Sequence, residues 1–227
     1  MASSAGNSNF LCISRLPGRW WLRSAIVVLL LLAVPVSTTE SQAVPAPAAN
    51  GAHVYLLRGL LNVFSLGLDD IAAKLESQGI PVTITNYLGW AAVADEAAAD
   101  YRSGKVKTII LVGHSSGATV LPDMVQRLDQ LGAPVKLAIG LDSVYRTSLS
   151  GRVGRYVNYY IGNGNGEPVA PTKQLHGTLE NVNVQNVPGV GHITIEKNLI
   201  MQRRVIADID AVVFGSRSRQ VSAAPAQ

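Results

Sequence analysis

The chain has 227 residues, 48% of them hydrophobic and 15% charged, which suffices for one domain with a sizeable core and excludes a charge-rich disordered chain. Its net charge is only +4, and Arg15, Arg19 and Arg23 against Glu40 place half of that excess in the first 43 residues. No run of Lys and Arg is interleaved with aromatics, so no nucleic-acid partner is expected.

Residues 1–43 read as a signal peptide. A basic region ending at Arg23 precedes "AIVVLLLLAVPV", and Ser41-Gln42-Ala43 puts small residues at the two positions a signal peptidase inspects. The apolar run is shorter than the roughly 20 residues of a spanning helix. Export to the periplasm or the medium is therefore expected. The alternative is a retained membrane anchor through residues 20–36, because Trp20, Trp21 and Leu22 extend the apolar character backward. Only in that case is a membrane a partner. The single cysteine, Cys12, falls in this segment, so a cleaved chain would have no disulfide and no thiolate metal site.

Residues 44–52 form a Pro/Ala linker, and 215–227 have the composition of a disordered tail. Between them, 53–214 alternate strand and helix. "HVYLLRG" is a short apolar strand. "LGLDDIAAKLESQG" spaces Leu68, Ile71 and Leu75 as one helical face and stops at Gly79. "PVTITNY" is a β-branched strand, "WAAVADEAAADYRSG" an Ala-rich helix, and "KTIILVGHS" a buried strand. Leu121, Val125, Leu128 and Leu131 mark the next helix. Pro122 falls inside it, which implies either a kink or a separate short first turn. "VKLAIGLD", "RYVNYYIGN" and "NVNVQNVPG" are further strands. Ile195, Leu199, Ile206, Ile209 and Val213 stripe a final helix. The alternation implies an α/β fold, with a mostly parallel central sheet and helices on both faces. Only about a dozen residues separate Asp142 from the strand near Arg155, too few for a separate lid domain.

The chemistry concentrates in "TIILVGHSSGAT". Gly113-His114-Ser115-Ser116-Gly117 follows a buried strand and leads into a helix, the context in which a central serine is presented above a sheet edge. Glycines at the flanks allow a turn too tight for side chains. On this motif and the order of elements over about 160 residues, the chain resembles the α/β-hydrolase superfamily.

That resemblance implies a serine nucleophile at Ser115, and a serine hydroxyl needs a neighbouring base. His53 opens the first strand, His114 sits in the elbow and should point away from the serine, and His176 precedes the last strand. His192 follows that strand and precedes the final helix, where the family's histidine lies, so it is the expected base. The acid should lie between serine and histidine. "GLDSV" resembles the acid-bearing segment of lipases and points to Asp142, while Glu167, one strand later, is the alternative acid. The family's oxyanion hole maps onto the N–H groups of Ser116 and Leu60, with Leu61 next. Many lipases have His-Gly where this chain has Arg58-Gly59.

Leu60, Leu61, Val63 and Phe64 either line an acyl pocket or pack in the core. Arg146, Arg152 and Arg155 form either an anion-selecting cluster or a solvated face. No metal and no cofactor are expected. The expected function is cleavage of carboxylic esters, as in a small lipase or esterase, with a small-molecule acyl ester, lipid included, as substrate. The alternatives are a thioesterase or acyltransferase with the same triad, or a catalytically idle domain that binds a lipid or protein at the envelope.

Overall fold

The computed structural model describes residues 49–60, 65–164 and 166–215. The expected leader, most of the linker, the tail from 216 onward, and Leu61, Val63 and Phe64 lie outside the described residues.

Strand β1 (Ala52–Arg58) has no polar face, and the reason is burial on both sides. Val54 and Leu56 enter one apolar cluster, while Tyr55 and Leu57 enter the other. β3 (Thr108–His114) alternates in the same way, with Ile110 and Val112 on one face and Ile109 and Leu111 on the opposite one. The first cluster is covered by helices α1 (Gly67–Ser77) and α5 (Leu199–Val213), through Leu68, Ile71, Leu75, Met201, Val205 and Ile209. The second is covered by α2 (Trp90–Arg102) and α4 (Leu121–Gln130). Small Ala94, Ala97 and Ala98 let α2 lie close against the strands.

The remaining strands are β2 (Val82–Asn86), β4 (Val135–Leu141), β5 (Ser148–Tyr160) and β6 (Ala170–Asn183). All six are parallel in the order β2-β1-β3-β4-β5-β6. The chain leaves β1 toward β2 on one side and returns to β3 on the other. The carboxyl ends of β1 and β3 therefore flank a topological switch point, where loops part and leave a crevice. The described residues contain no helix long and apolar enough to cross a membrane.

Three details refine the sequence reading. The helix around Pro122 is two pieces: a single turn α3 (Ser116–Thr119), then α4, with Pro122 in its first turn, where the missing N–H costs nothing. The last strand is Ala170–Asn183 rather than "NVNVQNVPG", so His176 lies within β6, opposite Arg152, not ahead of the strand. β6 is an edge strand exposed along most of its length, and its hydropathy pattern is correspondingly silent. Finally, α5 begins at Leu199. Ile195 is fully buried, but from a turn ahead of the helix. Asn198 caps α5, its side chain accepting the N–H groups of Ile200 and Met201.

Candidate active site

Ser115 sits between β3 and α3 with φ 59° and ψ −122°. That conformation costs a non-glycine residue about 1–3 kcal/mol and persists only where neighbours over-determine it. Here they do. The Ser115 N–H donates to Leu141 O at 3.0 Å, and its carbonyl accepts from Thr119 N at 3.0 Å and Thr119 Oγ1 at 3.2 Å. The flanking glycines are steric necessities. A Cβ on Gly117 would stand 2.1 Å from Leu57 O, and one on Gly113 would stand 2.5 Å from Gly117 O. Gly59 belongs to the same arrangement, since a Cβ there would lie 2.8 Å from the Ser115 Cβ. The loop after β1 is thus pressed onto the elbow.

His192 reaches this corner from the loop between β6 and α5. Its Nε2 is 3.0 Å from Ser115 Oγ, and its Nδ1 is 2.6 Å from Asp142 Oδ2. An ionised carboxylate only accepts, so Nδ1 carries the ring proton and Nε2 is left to accept from the serine hydroxyl. Asp142 follows β4 directly, has φ 51° and is fully buried. Its other oxygen, Oδ1, accepts the Ile161 N–H at 2.9 Å. Gly166 packs against that oxygen so tightly that a Cβ would fall 1.9 Å from it.

Serine, histidine and acid therefore follow β3, β6 and β4 of one parallel sheet, with the serine on a strained strand-to-helix corner at the switch point. This is the α/β-hydrolase fold. Within it, Glu167, the alternative acid, is turned outward and ion-paired with Arg146 at 2.8 Å, while Asp142 holds the imidazole. His53 bonds Thr83 at 2.8 Å near the amino end of β1, and His176 lies far along β6 from its carboxyl end, so neither joins the serine.

The three arginines after the acid are all paired: Arg146 with Glu167, Arg152 with Asp129, and Arg155 with Glu180 and Asp208. Each is neutralised separately, and Arg152 against α4 and Arg155 against α5 belong to opposite faces of the sheet, so they form no anion-selecting cluster. Arg58, which stands where many lipases have histidine, is held by Asp69 of α1.

A cavity of ≈ 370 Å³ opens beside the serine. Leu60, Tyr87, Ser115, Ser116, Thr119, Val120, Val144 and Tyr145 line it. Ser116 and Leu60, the expected oxyanion donors, thus face the same space as Ser115. The N–H of Ser116 is at the first position of α3, where a helix supplies no acceptor. Tyr87, Val120, Val144 and Tyr145 were not singled out by sequence. Each comes shortly after a strand or the elbow, and that position was the only signal.

His114 does point away from the serine, as the alternation of β3 requires, into the layer under α1 and α5. It is 1% exposed. Burial pushes its pKa down to about 4, so the ring stays neutral at physiological pH. Beside it, burial pushes the carboxyl of Glu196 up. Glu196 Oε2 lies 3.5 Å from His114 Nε2, and its Oε1 lies 3.5 Å from Lys197 Nζ. The titratable neighbours of His114 are thus Glu196, Lys197, His192 and Asp142.

A pH dependence of stability follows from His114. Its folded pKa lies below the unfolded value of 6.5, so between pH 6.5 and about 4 the unfolded chain binds more protons. Stability is fully present above that window and is lost as pH falls through it, by up to about 3 kcal/mol from this residue. Glu196, with a raised pKa, acts in the opposite sense. Urea unfolding at pH 7 and pH 4.5 is expected to show a smaller acid loss in His114→Gln than in wild type. Equal losses would remove His114 as the cause.

No protein-family model matches the chain, and no curated protein does. Among solved structures, the chain is similar to a protein from Xanthomonas campestris pv. campestris classed with the α/β-superfamily hydrolases. The identity is 12% and the TM-score 0.39, over 69% of this chain and 98% of that one. It is also similar to an acetyl xylan esterase, at 14% identity and a TM-score of 0.41, over 71% of this chain and 98% of the other. Strand order and the elbow carry the α/β-hydrolase fold without these likenesses.

Proposed function

We propose that the chain is a serine hydrolase that cleaves carboxylic esters through an acyl-enzyme. The observation that carries this is the unbroken hydrogen-bonded line from Ser115 Oγ through His192 to buried Asp142. In this reading Ser115 Oγ attacks the acyl carbonyl as His192 Nε2 takes its proton. The tetrahedral oxyanion is met by the N–H groups of Ser116 and Leu60. His192 then gives the proton to the leaving alkoxide, leaving an ester on Ser115, and a water repeats the sequence to release the acid. Asp142 keeps the imidazole in the Nδ1–H tautomer and stabilises the imidazolium as it forms.

The apolar wall of Leu60, Tyr87, Val120, Val144 and Tyr145 supports an uncharged acyl chain. Arg146, next to cavity-lining Tyr145 in the chain, is paired with Glu167, which argues against an anionic one. The cavity volume supports a short to medium chain that leaves the ester carbonyl at the serine.

A fluorophosphonate probe is expected to label the wild type and not Ser115→Ala. A panel of p-nitrophenyl esters and acyl thioesters is expected to favour oxygen esters of short to medium chains. Faster turnover of thioesters would reassign the reaction to a thioesterase. A folded protein that takes no label would favour an idle binding domain.

A further inference from the structure

The buried ring of His114 is bonded at both nitrogens, and each bond leads to a different catalytic loop. Its Nε2 lies 2.7 Å from the backbone carbonyl of His192. Its Nδ1 lies 2.8 Å from Ser65 Oγ, and Ser65 Oγ lies 3.1 Å from the N–H of Gly59. Ser65, like His114, is 1% exposed, so water does not compete for these bonds.

The chemistry of the partners fixes the direction of every proton. A carbonyl only accepts, so Nε2 carries the hydrogen and donates to His192 O. The neutral ring then has Nδ1 as an acceptor, and the Ser65 hydroxyl must donate to it. That leaves a lone pair on Ser65 Oγ to accept the Gly59 N–H. The result is one continuous path, from the Gly59 N–H through Ser65 and His114 to the carbonyl of His192.

We propose that Ser65 and His114 are positioning residues that tie the loop carrying the Leu60 N–H and the loop carrying His192 to the same rigid strand end from which Ser115 projects. The inference rests on the serine-hydrolase reading and adds to it residues that touch no substrate. Gly59 immediately precedes Leu60, and its carbonyl is also held, by Asn86 Nδ2 at 3.3 Å. Gly59 is therefore held at its N–H by Ser65 and at its C=O by Asn86, and that C=O shares a peptide plane with the Leu60 N–H. On the other loop, His192 is held at its ring by Asp142 and at its backbone by His114, which fixes the direction of its Cα–Cβ bond.

The physical need is plain. Base and oxyanion donor come from chain positions 192 and 60, on separate loops. Catalytic geometry tolerates errors of only about 0.5 Å. A single ring adjoining the nucleophile in sequence gives both loops a common reference.

Three variants separate the two arms. Ser65→Ala cuts the arm to Gly59 alone. His114→Gln keeps a donor near the Nε2 position and loses the acceptor at Nδ1. His114→Asn keeps an acceptor near Nδ1 and loses the donor to His192. With a p-nitrophenyl ester, Ser65→Ala is expected to lower kcat by about 10- to 100-fold, with KM within about threefold and the pH midpoint of kcat unmoved. His114→Gln should match it, and the double variant Ser65→Ala/His114→Gln should be no slower than either single one, because both cut the same arm. His114→Asn should lower kcat comparably and also move the pH midpoint, because it disturbs the base.

In the wild type, ¹⁵N NMR should find His114 in the Nε2–H tautomer, with an Nδ1 resonance that shifts in Ser65→Ala. This readout needs no activity. Should a His114 variant fail to fold, Ser65→Ala and the NMR tautomer decide alone. An active wild type with Ser65→Ala within about twofold of it, multiplying losses in the double variant, or an Nδ1–H tautomer would each overturn the inference. A wild type that neither turns over acyl substrates nor takes the fluorophosphonate strikes the hydrolase reading instead, whatever tautomer is found.

Discussion

His192→Ala is expected to lower kcat on a p-nitrophenyl ester by about 10⁴–10⁶-fold, with KM changing by no more than about threefold. The effect is large because no other described side chain is bonded to Ser115 Oγ as a base. His114 is turned into the layer under α1 and α5, with both ring nitrogens committed. Without a base, the Ser115 hydroxyl is a poor nucleophile. Ser115→Ala should fall to the same floor, and the double variant should be no slower than either single one, since the two residues act as one unit. The residual rate reflects the oxyanion donors and binding alone. His192→Ala also leaves Asp142 buried with, among the described residues, the Ile161 N–H alone donating to its carboxylate, so its melting point should be measured alongside. A folded His192→Ala that keeps more than about 1% of wild-type kcat would end the triad assignment.

Asp142→Asn should cost about 10³–10⁴-fold in kcat, while Glu167→Gln should stay within about threefold of wild type. The contrast is one of environment. Asp142 is fully buried, accepts from His192 and Ile161, and has Gly166 pressed against it. An asparagine fills the same volume but turns an NH₂ or a neutral carbonyl toward Nδ1, which favours the wrong tautomer and offers no charge to the imidazolium. Glu167 is partly exposed and paired with Arg146, a bond of little worth in water. Steady-state kinetics with circular dichroism as a folding control checks both. A larger loss in Glu167→Gln than in Asp142→Asn would move the acid one strand along.

The elbow was readable in sequence because its constraints are local. A buried strand, two glycines around Ser115 and an ensuing helix are all adjacent in the chain, and each glycine meets backbone within a few residues or on the neighbouring strand. β1 and β3 were readable for a related reason, since strands covered on both faces have no polar alternation. The pattern weakened where burial did. β6 pairs on one side only and is exposed along most of its length, so its start was misplaced and His176 was put ahead of it.

The choice between Asp142 and Glu167 was beyond reach of composition and order, because both fall between serine and histidine in the chain. Orientation decides it. Positive φ at Asp142 turns its carboxylate inward, and exposure lets Glu167 pair with a surface arginine. Ser65 left no trace at all. It is a lone serine in a loop, and its importance comes from the proximity of His114, 49 positions away.

Taken by itself, the sequence determined the α/β architecture, the elbow at Ser115 and the candidates for base and acid, because period, glycine placement and chain order are one-dimensional properties. Only the tertiary structure decided which acid meets His192, which apolar residues line the cavity, and what the elbow histidine, His114, holds. Those depend on side-chain direction and on contacts between loops that hydropathy does not record, since the hydrogen bonds that bring residues 59, 65, 114 and 192 together are made across the sheet rather than along the chain.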